Sequence, residues 1–232
     1  MTSISASDVR TMPLYSASEA ARFLHLPVST VRAWAFGQVY KVRGEARRFD
    51  PVIAAADRQR RRLSFLNLVE LLVLAAIRRT HMVSLAQVRT AMTYLRRRFP
   101  GPHPLAEHQF QTDGVNLFIE KFGQLLNISR DGQIEMTELV KSYLRLVEWD
   151  ASGVPFKLHL PGPRTPNSDS SAVVIDPRFG FGRPVLDGCG IRTEVIIERF
   201  QAGEAMSALA EDYGLDTHAI EEVIRSHLPL AA

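Results

Sequence analysis

The sequence of 232 residues has one cysteine, Cys189, which excludes an internal disulfide and a zinc site built on several thiolates. It has no uncharged apolar run of membrane-spanning length. The most apolar stretch, Leu66–Ile77, holds Asn67 and Glu70 and stops at Arg78 and Arg79. The opening MTSISASDVR lacks a basic start followed by an apolar stretch, so no signal peptide is predicted. These absences predict a soluble, cytoplasmic protein with no membrane partner. Motifs of the forms G-x-x-x-x-G-K-[ST], G-x-S-x-G and H-E-x-x-H are also missing, and Gly180-Phe181-Gly182 is too short for a phosphate loop. Asp131, Glu135 and Glu138 read as a solvated helix start. His103 and His108, beside Glu107 and a Pro-rich stretch, read as exposed loop residues, and Cys189 as an unreactive residue in a turn. No enzyme, cofactor or metal is predicted.

Lysine is scarce as well, at 4 against 24 arginines, and the charge is unevenly sorted. Residues 1–112 carry 17 Lys+Arg against 7 Asp+Glu, a balance of +10. Residues 113–232 carry 11 against 18, a balance of −7. Codon bias can favour Arg over Lys, but it does not sort the sign of charge by chain half. One half suits a polyanion; the other suits a basic or arginine-presenting protein.

Ser16-Ala17-Ser18-Glu19 has the form of a capping box, and the helix it opens turns Ala20, Ala21, Phe23 and Leu24 inward. A break at 25–28 precedes a second short helix from Ser29, with Val31 and Trp34 on its buried face and Gly37 at its end. Val39–Val42 and Arg47–Phe49 read as strands about a four-residue turn, 43–46. Ser64 can cap a long helix over 64–80. Ser84–Gln87 is a second capping box, leading the stripe Leu85, Val88, Met92, Leu95 and Phe99. The middle, 115–160, reads as short strands (115–120, 124–129, 133–136), a hairpin turn at Arg130-Asp131-Gly132 and a helix near 137–147. Residues 161–171, with three prolines and no large apolar residue, read as a linker. Three short helices follow, 193–201, 204–213 and 217–227, with Gly203 and Gly214 ending the first two. Ala205, Met206, Leu209, Ala210, Ile220, Val223 and Ile224 are their expected core.

A DNA-reading helix-turn-helix needs small inward residues on its first helix, a tight turn, and a second helix that buries only one stripe. Residues 16–35 supply all three. With Val31 and Trp34 buried, Ser29, Thr30, Arg32 and Ala33 fall on the solvent side. Ser29 and Thr30 can bond phosphates, and Arg32 is long enough for a guanine edge. Lys41, Arg43, Arg47 and Arg48 lie on the adjacent hairpin, where a wing would meet the phosphate backbone. Over Tyr15–Asp50 the sequence resembles a MerR-like winged helix-turn-helix, on Ala20, Ala21, Leu26, Ser29, Thr30, Val31, Arg32 and Trp34 and the hairpin ending Arg48-Phe49-Asp50. It departs from effector-sensing MerR proteins in lacking a long C-terminal coiled coil and clustered metal-ligand cysteines.

Near the C-terminus, Gly182-Arg-Pro-Val-Leu186, Gly188, Ile191, Ala202-Gly-Glu204, Leu209-Ala210 and Asp212-Tyr-Gly-Leu215 resemble a small antitoxin-like domain found beside nuclease toxins. It departs from that pattern at Cys189, Gly190 and Arg192, where the family has Thr, Arg and Pro. The whole chain thus resembles a large VapB-type antitoxin. The resemblance implies binding to operator DNA, autorepression and neutralisation of a PIN-like ribonuclease toxin. Residues 193–228 hold eight acids against Arg199 and Arg225, a balance of −6 that repels phosphates and favours a protein partner. Arg178, Arg183 and Arg192, in the extended 176–192 stretch, can offer guanidinium groups to a toxin's metal-binding carboxylates.

The predicted fold is mainly α. A winged helix-turn-helix with a helical extension spans 1–112, a small mixed α/β segment 113–160, a linker 161–171, and a three-helix, helix-turn-helix-like domain 172–232. A homodimer is expected, because the apolar helix 64–80 and the stripe behind Ser84 offer more surface than a small winged unit buries; some of it would form the subunit interface, with an internal core as the competing explanation. The alternative is a MerR-like regulator without a toxin, responding to a small ligand in 115–160.

Overall fold

Ser16 starts the first helix as the sequence demands. Its hydroxyl accepts from the Glu19 amide at 3.2 Å, and the Glu19 carboxylate accepts from the Ser16 amide at 2.8 Å. We describe residues 8–42, 45–80, 85–107, 110, 114–126, 130–161 and 172–227 of a computed structural model. The chain divides between Pro155 and Phe156 into two compact units. Helix α1 (Ala17–Phe23) buries Ala17, Ala20, Ala21 and Phe23. The turn places His25 in left-handed backbone (φ 50°), and the Leu26 amide returns to the Ala21 carbonyl at 2.8 Å. Helix α2 (Val28–Phe36) begins after Pro27, one residue earlier than Ser29.

Gly37 ends α2 in a conformation open only to glycine (φ 78°, ψ 177°), and a Cβ there would run into the Phe49 carbonyl oxygen. This close approach seats the hairpin of β1 (Gln38–Val42) and β2 (Glu45–Phe49), paired antiparallel from Gln38–Phe49 to Val42–Glu45. Glu45 and Ala46, expected in the turn, are strand residues. Only 43 and 44 connect the strands, and both lie outside the described residues. The Val52 and Ile53 amides close back on the Trp34 carbonyl, at 2.6 and 3.2 Å.

Helix α3 (Phe65–Thr80) starts at Ser64, with Asn67 in the place of the usual glutamate. The Ser64 hydroxyl accepts from the Asn67 amide at 3.2 Å, and the Asn67 side-chain oxygen accepts from the Ser64 amide at 3.1 Å. Every residue from Phe65 to Ile77 is buried within this unit. The apolar surface of α3 is therefore internal core and leaves none for the subunit interface assigned to it from the sequence. Helix α4 (Leu85–Arg98) buries Val88, Met92 and Leu95, with Phe99 beyond its end. Ser84 and the Leu85 side chain lie outside the described residues.

The strands expected at 115–120 and 133–136 are helical, as is 124–126 of the one expected at 124–129, whose residues 127–129 lie outside the described residues. Helix α5 (Val115–Leu126) packs on α4, and α6 (Arg130–Leu144) packs on α3 and α5. Val115, Phe118 and Ile119 recur at helical spacing, and all three are buried. Gly123 sits inside α5, and Gly132, read as part of a hairpin turn, sits inside α6. At Gly123 the reason for a glycine is proximity, since a Cβ would meet the Gln133 side chain of α6. Arg130-Asp131-Gly132 is the first turn of α6, not a hairpin. A short strand, β3 (Val147–Trp149), follows.

The second unit opens with β4 (Pro155–His159), β5 (Val173–Ile175) and β6 (Val185–Leu186); β4 pairs with β5 and β5 with β6, both antiparallel. Apart from Pro161, the expected linker lies outside the described residues. Helices α7 (Thr193–Gln201), α8 (Met206–Tyr213) and α9 (Thr217–His227) share a core of Ile196, Leu209, Ala210, Ile220 and Val223. Ala205 and Met206 are exposed rather than in that core, because α8 starts only at Met206. The architecture is mainly α with small β parts. Among the described residues, no helix is long and apolar enough to cross a membrane.

Candidate nucleic-acid interface

Helix α2 buries Val31, Ala33, Trp34 and Ala35, which leaves one narrow outward stripe. Ser29 and Arg32 are exposed on it, and half-buried Phe36 continues it one turn further, at spacings of three and four. Thr30 is half-buried at the stripe's edge. Ala33, expected outside, is buried beside Trp34. The hairpin leaves α2 directly. Its Arg48 is 68% exposed and lies 3.3 Å from Asp50. The pairing sets Tyr40 opposite Arg47 and Lys41 opposite Ala46 along the ladder. The side chains of Lys41 and Arg47, and all of Arg43, lie outside the described residues. Val39 and Tyr40 are exposed on the same hairpin. Sequence reasoning missed them, because apolar strand residues read by default as core.

The frame behind this face is tied by arginines directed inward. Arg89 of α4 stacks over Phe49 at 4.2 Å, Arg78 of α3 lies over Trp34 at 5.9 Å, and Arg96 donates to the Val52 carbonyl at 2.6 Å. Part of the +10 balance is therefore structural. His103 is also not the exposed loop residue expected. It is buried, with Nδ1 2.9 Å from Glu70, because the turn at Pro104–Ala106 folds it onto α3. Burial pushes the neighbouring Glu107 carboxyl above its usual range, opposed by His103 and reinforced by Glu70.

In the second unit, Arg178 is held against buried Asp176, with Nε–Oδ1 at 2.9 Å and Nη2–Oδ2 at 2.5 Å, and stacks on Phe156 at 4.5 Å. Arg183 is half-buried; Arg192 is exposed at the start of α7. Between Arg178 and Arg183, Gly180, Phe181 and Gly182 all have positive φ, and Phe181 is 90% exposed, with Phe179 58% exposed beside it. An aromatic ring held outward on left-handed backbone has no packing reason inside this unit. The sequence marked this tripeptide only as not being a phosphate loop. Cys189 is exposed in the turn that follows. Arg199 bonds both Glu204 and Asp212, at 2.5 and 2.6 Å, and Arg225 bonds Glu221. Both basic residues of the helical trio are thus neutralised locally, and Glu198, Glu211 and Asp216 remain exposed.

A family model described as "Putative DNA-binding HTH domain" matches residues 13–92, the stretch that holds α1, α2 and the hairpin. A second, described as "Protein of unknown function (DUF433)", matches residues 173–225. A Mycobacterium tuberculosis protein named "Putative antitoxin VapB45" is 31% identical over 229 residues, covering 92% of this chain and 93% of its own length. The chain belongs to the VapB45 family. The crystal structure of Rv2018 from Mycobacterium tuberculosis has a TM-score of 0.67 and 25% identity, covering 92% of this chain and 98% of that one. The VapB45 likeness spans both units, so the helix-turn-helix and the DUF433 region are parts of one inherited arrangement.

Proposed function

We propose that this chain is the antitoxin of a type II toxin-antitoxin pair. In this reading it binds operator DNA through its first unit to repress its own synthesis, and its second unit silences a PIN-like ribonuclease toxin. It works in the cytoplasm as a homodimer and is itself no enzyme. The observation that carries the reading is the outward stripe of α2. Ser29 and Arg32 stand exposed on a helix whose other faces are buried, inside a matched helix-turn-helix and beside a basic hairpin. A protein of the same family is named an antitoxin over nearly its whole length.

The toxin partner is supported by the second unit's acidic helices and by Phe181, which together suit a protein surface better than a phosphate backbone. In this reading Arg183 and Arg192 offer their guanidinium groups to toxin carboxylates. Arg178, already paired with Asp176, joins them as a group that a toxin carboxylate would compete for.

DNA binding is tested by measuring affinity for a duplex of the upstream region across salt concentrations. If Arg32, Lys41, Arg43, Arg47 and Arg48 each neutralise one phosphate in each half of a dimer, the slope of log K against log salt is on the order of −9. Arg48→Ala weakens all sequences alike, whereas Arg32→Ala also relaxes sequence preference. Binding insensitive to salt contradicts the proposal.

A further inference from the structure

Residues 57–62 form a second basic hairpin, outside the helix-turn-helix and outside the wing. Its ends pair twice: the Asp57 amide donates to the Arg62 carbonyl at 3.0 Å, and the Arg62 amide donates to the Asp57 carbonyl at 2.8 Å. The Asp57 side chain accepts from the Arg60 amide at 2.8 Å, which fixes the turn locally. Arg61 takes left-handed backbone (φ 53°), which lets the chain reverse with four residues in the loop. Arg58, Gln59, Arg60 and Arg61 are exposed. The six residues hold four arginines and one aspartate.

This hairpin is not a loose loop. The Asn67 side chain accepts from the Ala56 amide at 3.0 Å and donates to the Ala54 carbonyl at 2.8 Å, gripping the strand that leads into it. Its far end joins the Leu63–Tyr15 bridge, with bonds of 2.7 and 2.9 Å, at the entry to α1. Arg61 lies over the Phe36 ring at 5.1 Å, and Arg62 lies 3.8 Å from Glu19 of α1. Phe36 is the last residue of the α2 stripe that begins with Ser29 and Arg32. The hairpin is therefore docked at the C-terminal end of the recognition face, and the wing leaves from the next residue, Gly37. The Arg60 guanidinium, on a side chain 84% exposed, has among the described residues only the weak 3.6 Å approach of Asp57 within its own turn.

We infer that Arg58 and Arg60 form a second phosphate clamp on duplex DNA, with Arg61 positioning the loop against Phe36. The inference rests on the DNA-binding reading above and deepens it. DNA is favoured over an acidic protein because the loop abuts the face that reads DNA and is held rigid from both sides. Preorganised arginines bind a phosphate backbone with little ordering cost.

The test is the full chain on a random-sequence 30-base-pair duplex, followed by fluorescence anisotropy across salt. Sequence does not matter for this contact, so no operator is needed. Arg58→Ala with Arg60→Ala is expected to make the salt slope less negative by about 1.8 per bound protomer, two phosphates at about 0.9 each. Arg48→Ala is the control for the wing, with a change of about 0.9. Unchanged tryptophan emission shows that the double variant is folded, since both tryptophans, Trp34 and Trp149, lie in the first unit. If wild type and Arg48→Ala behave as expected but the double variant keeps the wild-type slope, this inference alone is overturned. If the wild-type chain does not bind the duplex at low salt, the DNA reading falls and this inference falls with it.

Discussion

Asn67 shows how much one buried amide can organise. It satisfies the start of α3 through Ser64, holds both Ala54 and Ala56, and donates to Glu70 at 3.2 Å. A polar residue in an apolar helix looked like an interruption, yet it is the joint between α3 and the basic hairpin. Arg10 has a comparable role at the unit's edge. It bonds Asp8 and reaches Asp150, each at 2.5 Å. The Arg10 guanidinium holds the Asp8 carboxyl below its usual range. At Asp150, burial acts upward, but bonds from the Ser152 hydroxyl, the Val154 amide and Arg10 outweigh it and hold this carboxyl well below its usual range. A depressed carboxyl stabilises the fold above its unfolded pKa near 4, and that contribution is lost as pH falls through the folded value. Glu107, pushed upward, has the opposite sign, but it is common to wild type and variant and cancels. Arg10→Ala should therefore cost about 1–2 kcal/mol at pH 7 and progressively less below about pH 4. Urea unfolding followed by tryptophan emission checks it; a cost that grows on acidification would contradict the assignment.

At the scale of elements, the recognition helix and the wing are coupled through one glycine. Gly37→Ala forces a side chain into the Phe49 carbonyl at a backbone conformation that L-residues avoid, which should destabilise the first unit by about 1–3 kcal/mol. Duplex affinity should fall with it, because the wing loses its seat; a urea midpoint at the wild-type value would refute this. The helix-turn-helix was legible because its signals are local: a capping box, a proline, a terminal glycine and a three-residue spacing of buried side chains. The three C-terminal helices were legible for the same reason. Helices α5 and α6 were not, because six-residue windows of apolar residues fit strand and helix alike, and Arg130-Asp131-Gly132 has the composition of a turn. The exposure of Ser29 and Arg32 on α2 was legible in the sequence. The roles of Arg61, Phe36 and Phe181 depend on contacts and backbone signs that no local pattern encodes.

Over the whole molecule, charge and exposure differ between the two units. In the basic first unit some arginines contact Phe49, Trp34 and the Val52 carbonyl, while Arg32 of α2, Arg48 of the wing and Arg58 and Arg60 of the second hairpin are exposed. In the acidic second unit Arg178, Arg199 and Arg225 pair with its own carboxylates, and aromatic rings are exposed on the 179–182 turn. Because α3 is buried inside its own unit, a homodimer must use another surface. We propose that DNA binding and toxin silencing are separate activities of these units. It is tested most directly by co-expressing the full chain with the product of the neighbouring reading frame, and reading promoter repression and ribonuclease activity in the same cells. The account predicts that Arg32→Ala loses repression but still silences the ribonuclease, whereas Phe181→Ala with Arg192→Ala retains DNA binding but releases ribonuclease activity. Loss of both functions in either folded variant, or of neither in both, would contradict it.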